Sequence, residues 1–300
     1  MKATLVAVAL TTVLAATPAA AALNVLACEP EWASLVRELA GDRAEVSSAT
    51  TAMQDPHRIE ARPALLARAR RADLLVCTGA ELEIGWLPLL QRESGNPRIR
   101  PGQPGYFEAA AVVALIEKPE VVDRSMGDVH AAGNPHFHLD PRNLLRVAQP
   151  LSARLAAIDP ANAAHYAARH REFAARMEAS LLRWRGESAA LRDMRVVVHH
   201  KTWSYLAAWL GLEVVADLEP KPGIEPSAIH LAQVLEKLKA EPATMVLRAP
   251  YQSTRGSRWI AERAGISAVE LPYTVGGSDK ATDLFSLFDD TLAKLKEASR

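Results

Sequence analysis

The residues of this sequence best suited to chemistry are histidines and carboxylates in three short segments. Asp55-Pro56-His57 lies in the first fifth of the chain, Pro135-His136-Phe137-His138-Leu139-Asp140-Pro141 lies near the middle, and His199-His200 ends a mostly apolar run. These segments hold five of the nine histidines. Because proline fixes φ and favours extended backbone in the preceding residue, the central segment should present its imidazoles on a stiff, non-helical stretch.

Neutral imidazoles and a carboxylate form a good ligand set for zinc, which accepts four of them tetrahedrally. We therefore predict that His57, His136 and His200 meet around a transition metal, with zinc as the first choice. Alternative interpretations are that His57 caps a helix, that His138 packs under the loop, and that His199 is an ordinary strand residue. Each motif alone is weak, and the prediction depends on all of them occurring together.

A fourth ligand is expected from the loop Thr274-Val275-Gly276-Gly277-Ser278-Asp279, whose glycines would permit closure over a metal. Asp279 is the first choice. Asp283 is the alternative, although it could instead be a carboxylate at the start of a helix. His130, in an aperiodic loop over residues 117–134, is interpreted as a solvent-exposed histidine that at most samples metal.

The remaining histidines are not expected to bind metal. His165 and His170 are five residues apart on a predicted helix, so they point to different sides of it. His230 has no histidine or carboxylate partner nearby in sequence and is interpreted as structural or exposed.

The N-terminus has the features of a secretory signal peptide over residues 1–22. Lys2 supplies the positive end, residues 5–16 form the mostly apolar stretch, and Ala20-Ala21-Ala22 is a small-residue cleavage site. Periplasmic export is therefore predicted. An alternative is that Val25-Leu26-Ala27-Cys28 is a lipoprotein cleavage box that would place a lipid anchor on Cys28.

Composition excludes several classes of partner. Lysine plus arginine and aspartate plus glutamate each total 35, so no charge excess indicates nucleic acid or an anionic membrane surface. Only two cysteines occur, Cys28 and Cys77, and each closes an apolar, strand-like run. If these strands are parallel neighbours their ends meet, and the cysteines form either a disulfide or two buried free thiols.

Short apolar runs alternate with longer helical segments, the pattern of α/β layering with a mostly parallel sheet. The predicted strands cover residues 23–28, 44–49, 73–77, 107–113, 194–199, 212–215, 244–247 and 268–271. We predict an N-terminal α/β lobe over residues 23–158, a long connecting helix over 159–192 and a C-terminal α/β lobe over 193–300. With about 1.5 Å per residue the connector would be roughly 45 Å long, enough to join two lobes around an interlobe cleft.

The motifs resemble those of the periplasmic solute-binding components of zinc and manganese ABC transporters, the ZnuA/TroA-like or cluster A-I family. The resemblance covers essentially the whole mature chain. Its segments are Asp55-Pro56-His57 with Glu60, residues 72–83, residues 135–141, His200-Lys201-Thr202-Trp203-Ser204-Tyr205 and Gly223-Ile224-Glu225-Pro226-Ser227.

The resemblance implies two α/β lobes joined by one long helix, with the metal between them. It places His57, His136 and His200 at ligand positions and a C-terminal-loop acid as the fourth ligand. His138 stands where the family usually has tryptophan, so it is expected beside the ligands rather than among them. Manganese members tend to have glutamate at the position of His200, so a nitrogen-rich set favours zinc.

The function predicted from this resemblance is capture of zinc in the periplasm and its delivery to the membrane permease of an ABC transporter. The protein is expected to act as a monomer, and a periplasmic zinc donor protein is a further candidate partner. A manganese-binding member of the family is one alternative. Another is a zinc hydrolase, because His136 to Asp140 resembles the start of the HxHxDH motif of metallo-β-lactamase-like enzymes, although Pro141 replaces its last histidine. A zinc-containing adhesin is a third.

Overall fold

The computed structural model describes residues 22–120 and 127–300. The predicted signal peptide therefore lies outside the described residues, apart from Ala22. Within the described ranges, no helix combines the length and the apolar character that a membrane span requires.

Two parallel sheets form the framework, as the alternating sequence pattern predicts. The first has the strand order β2-β1-β3-β4 and the second β6-β5-β7-β8, and every pairing is parallel. The strands are β1 Leu23–Ala27, β2 Ala44–Ser48, β3 Leu74–Cys77, β4 Tyr106–Glu108, β5 Arg195–Val198, β6 Glu213–Asp217, β7 Met245–Arg248 and β8 Ser267–Glu270. The predicted α/β class is confirmed.

Helices cover both faces of each sheet, because parallel strands need crossover connections. They are α1 Pro30–Ala40, α2 Pro63–Arg71, α3 Leu87–Glu93, α4 Pro141–Ile158, α5 Ala163–Glu187, α6 Ser204–Leu210, α7 Ala228–Ala240, α8 Thr254–Ala264 and α9 Leu284–Ala298. Proline at the first turn of α1, α2, α3 and α4 fits the helical φ where no backbone donor is needed.

One apolar core joins the inner faces of the two sheets. It includes Val25 and Val76 of the first sheet, and Val198 and Leu247 of the second. Separate apolar clusters cover the outer faces, under α2 and α3 on one sheet and under α7 and α8 on the other. The two sheets are therefore held in one body with their inner faces packed on shared helices.

Helix α5 is the longest of the described helices, with 25 residues and a length of about 37 Å. It packs against α1 and α4 on one side and against α9 on the other, so it lies behind both sheets. It is shorter than predicted because its ends change to tighter turns at Pro160–Asn162 and Ala189–Leu191. The proposed domain boundaries near residues 158 and 192 stay predictions.

The two cysteines are joined in a disulfide at the ends of β1 and β3. Strands β1 and β3 are hydrogen-bonded neighbours, and Cys28 N donates to Val76 O at 2.7 Å, so the strand ends do meet. Both residues are fully buried. Of the two alternatives for the cysteines, the structure therefore has the disulfide and not two free thiols. Because its sulfur is bonded to Cys77, Cys28 has no free thiol to which a lipid could be attached.

Asp283 begins helix α9 as its N-cap. Its Oδ1 accepts hydrogen bonds from the backbone amides of Phe285 at 2.8 Å and Ser286 at 2.7 Å, and its own backbone amide donates to the Ser286 hydroxyl oxygen at 2.9 Å. This reciprocal capping box satisfies donors that the first helical turn leaves unpaired. The alternative interpretation of Asp283, as a helix-start carboxylate, is the one the structure favours.

We expect Asp283→Ala to destabilise the protein by about 1 kcal/mol because the amides of the first turn lose their acceptor. Asp283→Asn should keep most of the stability, since asparagine also caps helices. Urea denaturation of the metal-free protein measures both. An Asp283→Ala variant with parental stability but weakened metal binding would make Asp283 a ligand rather than a cap.

Candidate metal centre

Three of the predicted ligands converge between the two sheets. One side-chain nitrogen from each of His57, His136 and His200 lies within 4.8 Å of the others. The ring centroids of His57 and His136 are 5.5 Å apart, those of His136 and His200 5.5 Å, and those of His57 and His200 5.9 Å. Rings at these distances, set edge to face, surround a space that an ion can occupy.

His57 is oriented by its neighbour Asp55 in the loop between β2 and α2. Asp55 Oδ1 accepts from the His57 amide at 3.0 Å and lies 2.7 Å from His57 Nδ1. Because a carboxylate oxygen only accepts, Nδ1 holds the proton and the lone pair is on Nε2, which faces the other histidines. The Asp-Pro-His motif thus contains a candidate ligand, His57, together with the carboxylate of Asp55 that fixes its tautomer.

His136 lies just before α4 and is almost fully buried. Its amide donates to Asn134 Oδ1 at 2.9 Å, and its Nδ1 is 3.1 Å from the hydroxyl of Tyr273. Its Nε2 is buried and has no hydrogen-bond partner among the residues that the structure describes. A buried polar atom without a partner costs free energy, and an ion in the centre would satisfy it.

His200 follows β5 directly and is oriented by Glu219, which follows the neighbouring strand β6. Its Nδ1 lies 2.7 Å from Glu219 Oε2, which also accepts from the amide of Gly223 at 2.7 Å. Carboxyl ends of parallel strands collect ligands in α/β folds, and here one strand contributes the imidazole and the next its carboxylate. His199 is also buried, with Nε2 3.8 Å from Glu219 Oε1, and is not part of the cluster.

A fourth histidine, His130, lies against the cluster. Its Nε2 is 3.2 Å from His57 Nε2 and the two rings stack with centroids 5.3 Å apart. The prediction that His130 is solvent-exposed is wrong, because His130 is half-buried and the segment 127–131 lies across the cleft. The Ala131 amide donates to Glu81 Oε2 at 2.6 Å, and the Asp128 amide donates to the Pro222 carbonyl at 2.8 Å.

Two of the imidazoles, those of His136 and His130, are kept neutral by their surroundings. Burial, followed by the neighbouring imidazoles of His200 and His57, lowers the pKa of His136 well below its ordinary value. Burial and the imidazoles of His57 and His200 lower the pKa of His130 to about 4. Burial alone would raise the pKa of Asp55, but its hydrogen bonds to His57 outweigh that effect and lower it. Histidines that are already neutral are ready to bind a cation.

Asp279 does not reach the cluster in this structure. It is exposed at the tip of its loop, where the amide of Gly276 donates to the Ala281 carbonyl and that of Gly277 to the Thr274 carbonyl at 2.9 Å. These bonds fold the loop back on itself, and Ser278 anchors it to Asp290. The loop does approach the centre, but through Tyr273 at its start rather than through an acid at its tip.

His138 lies beside the ligands, as expected from the departure at that position. Its Nε2 donates to the Tyr273 carbonyl at 3.0 Å and its Nδ1 is 3.3 Å from Glu31 Oε1. His136 and His138 therefore face different partners, and Asp140 caps α4 and pairs with Arg142. The HxHxD pattern does not converge on one metal as the hydrolase alternative requires.

Sequence reasoning missed two residues that orient the ligands, Glu219 and Tyr273. A signal for Glu219 exists, because it follows β6 as His200 follows β5, and those strands are parallel neighbours. Tyr273 follows β8 at the same edge of the second sheet. Two other histidines bond backbone carbonyls away from the cluster, His165 to Ala40 at 2.8 Å and His230 to Asp217 at 3.0 Å.

A cavity of about 810 Å³ opens beside the centre and is lined by His130, His136 and His200. Its wall continues to Asp128 and Glu219. The cluster can therefore be reached from one side through the cleft, while its other side is closed by the core.

The sequence profile of the family described as "Zinc-uptake complex component A periplasmic", ZnuA, matches residues 25–298. The chain belongs to the ZnuA family. The predicted family and its extent over the mature chain are confirmed, and this family consists of solute-binding components rather than enzymes.

Named proteins with similar sequences or structures are consistent with this family membership. The chain is 22% identical over 270 residues to the high-affinity zinc uptake system protein ZnuA of Bacillus subtilis, covering 87% of this chain and 83% of that protein. It is 22% identical over 271 residues to the zinc-binding lipoprotein AdcA of Streptococcus pneumoniae, covering 88% of this chain and 53% of AdcA. A crystal structure of ZnuA superposes with a TM-score of 0.77 at 24% identity, over 93% of this chain and 100% of that chain, and shows the shared fold.

Glu219→Gln should lower the metal affinity of this ZnuA-family protein by about 10- to 100-fold, because His200 loses the anionic partner that fixes its tautomer. A competition titration against a chelator of known affinity measures the change. Glu213→Gln is the matched control, since Glu213 is an exposed carboxylate on β6 that pairs with Arg195. Equal affinity in the two variants would remove Glu219 from the centre.

The metal-free protein should lose stability as the pH falls from about 6.5 toward about 4. His130 has a folded pKa of about 4, below the unfolded value of about 6.5, so the unfolded chain binds more protons throughout that window. The part due to His130 should be of the order of 1–2 kcal/mol between pH 6.5 and 5.

Urea denaturation at both pH values, with His130→Gln as the comparison, isolates this contribution from that of other groups. The variant should lose less stability than the parent over the same interval. An identical loss in parent and variant would show that His130 does not titrate as its position implies.

Proposed function

We propose that this protein captures zinc in the periplasm and delivers it to the membrane permease of an ABC transporter. The observation that supports this proposal is the convergence of His57, His136 and His200, with nitrogen atoms within 4.8 Å of one another between the two sheets. The zinc-uptake relatives described above support the same cargo. Zinc is the substrate here, held for transport rather than for catalysis.

The donor set favours zinc over manganese. All three converging atoms are imidazole nitrogens, which suit zinc, whereas manganese prefers oxygen donors. Asp55 and Glu219 contact two of the ligand imidazoles and provide two negative charges close to the centre. A divalent cation bound by neutral histidines would thus be balanced without a direct carboxylate ligand.

His130 is our candidate for the fourth donor in place of Asp279. Its Nε2 already lies 3.2 Å from His57 Nε2, so a small rotation of either ring would direct both nitrogens at one ion. Asp279 could bind only if the exposed tip of its loop moved inward and broke the backbone bonds that fold the loop.

Capture and release would both involve the segment around His130. It bridges the cleft, since Ala131 bonds to Glu81 on the side of the first sheet and Asp128 bonds to Pro222 on the side of the second. Arg58 adds an exposed ion pair to Asp128 at 3.4 Å. Separation of these contacts would withdraw His130 from the cluster and lower the number of donors to three.

The proposed setting is the periplasm, with the predicted signal peptide directing export. The partner that receives zinc is an ABC-transporter permease, and a periplasmic zinc donor protein is a further candidate partner. We infer that the protein acts as a monomer, because its three converging donors come from one chain. We also infer that it works as a solute-binding component, as its family membership indicates, and not as an enzyme.

The test is zinc affinity of the purified mature protein and of alanine variants, measured by competition with a chelator. The parent should bind one zinc tightly, and His57→Ala, His136→Ala and His200→Ala should each weaken binding by at least about 100-fold, because each removes a direct donor. His130→Ala should weaken binding by about 10-fold or more, and Asp279→Ala should leave it unchanged.

Circular dichroism of each variant provides the folding control, and Asp279→Ala is the matched surface variant. A weakened Asp279→Ala with a normal His130→Ala would restore the acid as the fourth ligand. A parent without tight zinc would refute the transport proposal and return the hydrolase and adhesin alternatives to consideration.

A further inference from the structure

A second group of metal-ligating atoms lies at the carboxyl edge of the first sheet. Cys28 Sγ, Cys77 Sγ and a carboxylate oxygen of Glu83 lie within 4.8 Å of one another, and all three residues are buried. Cys28 follows β1, Cys77 ends β3 and Glu83 lies in the turn after β3. None of the histidines of the metal centre belongs to this group.

Two buried carboxyl groups, those of Glu83 and Glu29, lie near this edge of the sheet, and neither forms an ion pair with a basic residue in the described ranges. Glu83 accepts from the amides of Thr78 at 2.7 Å and Gly79 at 3.1 Å, and Glu29 Oε2 accepts from the Thr78 hydroxyl at 2.9 Å. Glu29 Oε1 is buried without a hydrogen-bond partner among the described residues. Burial raises the pKa of Glu83 to about 7 and that of Glu29 well above its usual range, Glu29 also being raised by the neighbouring charges of Glu83 and Glu31. Burial therefore disfavours the ionised form of both carboxyl groups, and a bound cation would stabilise that form.

The sulfurs are not ligands while they are bonded to each other, since metals bind thiolates. Their Cα atoms are 4.8 Å apart. Sulfurs that each lie about 2.3 Å from a tetrahedral zinc are about 3.8 Å from each other, so rotation of the two side chains within the same backbone would be sufficient.

We propose that reduction of the Cys28–Cys77 disulfide creates a second cation site for a thiophilic divalent ion such as zinc or cadmium. Its three ligands are the thiolates of Cys28 and Cys77 and the carboxylate of Glu83. The disulfide and the ion exclude each other, so metal bound here protects the two thiols from oxidation.

The chemistry of the change balances with an external dithiol as the reductant. The dithiol transfers two electrons and two protons, the Cys28–Cys77 sulfur–sulfur bond breaks, and the reductant leaves as its own disulfide. Binding of the divalent ion then releases two thiol protons, and also the proton of the Glu83 carboxyl group in those molecules where that group is protonated. The reverse reaction needs a disulfide oxidant and loss of the ion.

Cadmium titration of the folded mature protein tests the site, with a phosphine as the laboratory reductant because it does not compete for metal as a dithiol would. The oxidised protein should bind one equivalent without sulfur-to-metal ultraviolet absorption. The reduced protein should bind a second equivalent with that absorption. Cys28→Ser/Cys77→Ser should bind one equivalent without it under both conditions.

The same titration is repeated in a His57→Ala/His200→Ala variant, which removes the histidine centre. Metal bound by that variant is bound at the second site alone, so the result does not depend on whether the histidine centre captures zinc. Glu83→Gln in the reduced state should weaken the second equivalent by about tenfold or more, and Glu93→Gln, an exposed carboxylate on α3, should not. The proposal is overturned if the reduced, folded protein with two titratable thiols gains no equivalent. It is also overturned if Glu83→Gln leaves the absorption and affinity unchanged, because free thiolates alone would then explain the binding.

Discussion

The centre depends on the hydrogen bonds made by the outer nitrogens of its imidazoles. Asp55 bonds to Nδ1 of His57 and Glu219 to Nδ1 of His200, so each ring presents the lone pair of Nε2 to the centre. His136 meets the phenol of Tyr273 instead, which burial keeps protonated by raising its pKa. Without these partners the same three histidines could rotate or change tautomer, and the fold would bring the rings together without forming a site.

The parallel sheets place those partners. His200, Glu219 and Tyr273 follow β5, β6 and β8, so their proximity results from strand order rather than from distance along the chain. The first sheet has the same arrangement, and the position next to its central pair β1 and β3 is occupied by Cys28, Cys77 and buried glutamates. The second sheet thus has the imidazole of His200 and the carboxylate of Glu219 at the edge where the first sheet has the disulfide. Helix α5 lies behind both sheets.

The sequence was sufficient to predict the sheets and the convergence of the three central histidines. Strands such as 194–199 and 73–77 are apolar because both faces are covered by helices, and the histidines occur in stiff motifs or directly after a strand. The sequence pattern could not show which residue is the candidate for a fourth metal donor. Asp279 and His130 are both in loops, and whether a loop residue faces the cleft depends on backbone bonds such as Gly277 to Thr274 or Asp128 to Pro222, which leave no periodic signal.

The burial that prepares the centre for a cation also determines how the cation can leave. His136 and His200 are both buried. His136 is bonded to Tyr273, which belongs to the apolar core, so it cannot withdraw without disturbing that core, whereas His200 is bonded to Glu219 at the cavity wall. His57 is held by Asp55 in its own loop. His130 belongs to the segment 127–131, which crosses the cleft and is bonded to Glu81 on one side and to Pro222 on the other. If the protein carries zinc as proposed, exchange is expected to begin at His130, where opening breaks the hydrogen bonds to Glu81 and Pro222. Under the proposed function, the buried imidazoles would determine which ion is preferred, and the segment around His130 would determine how readily that ion is exchanged.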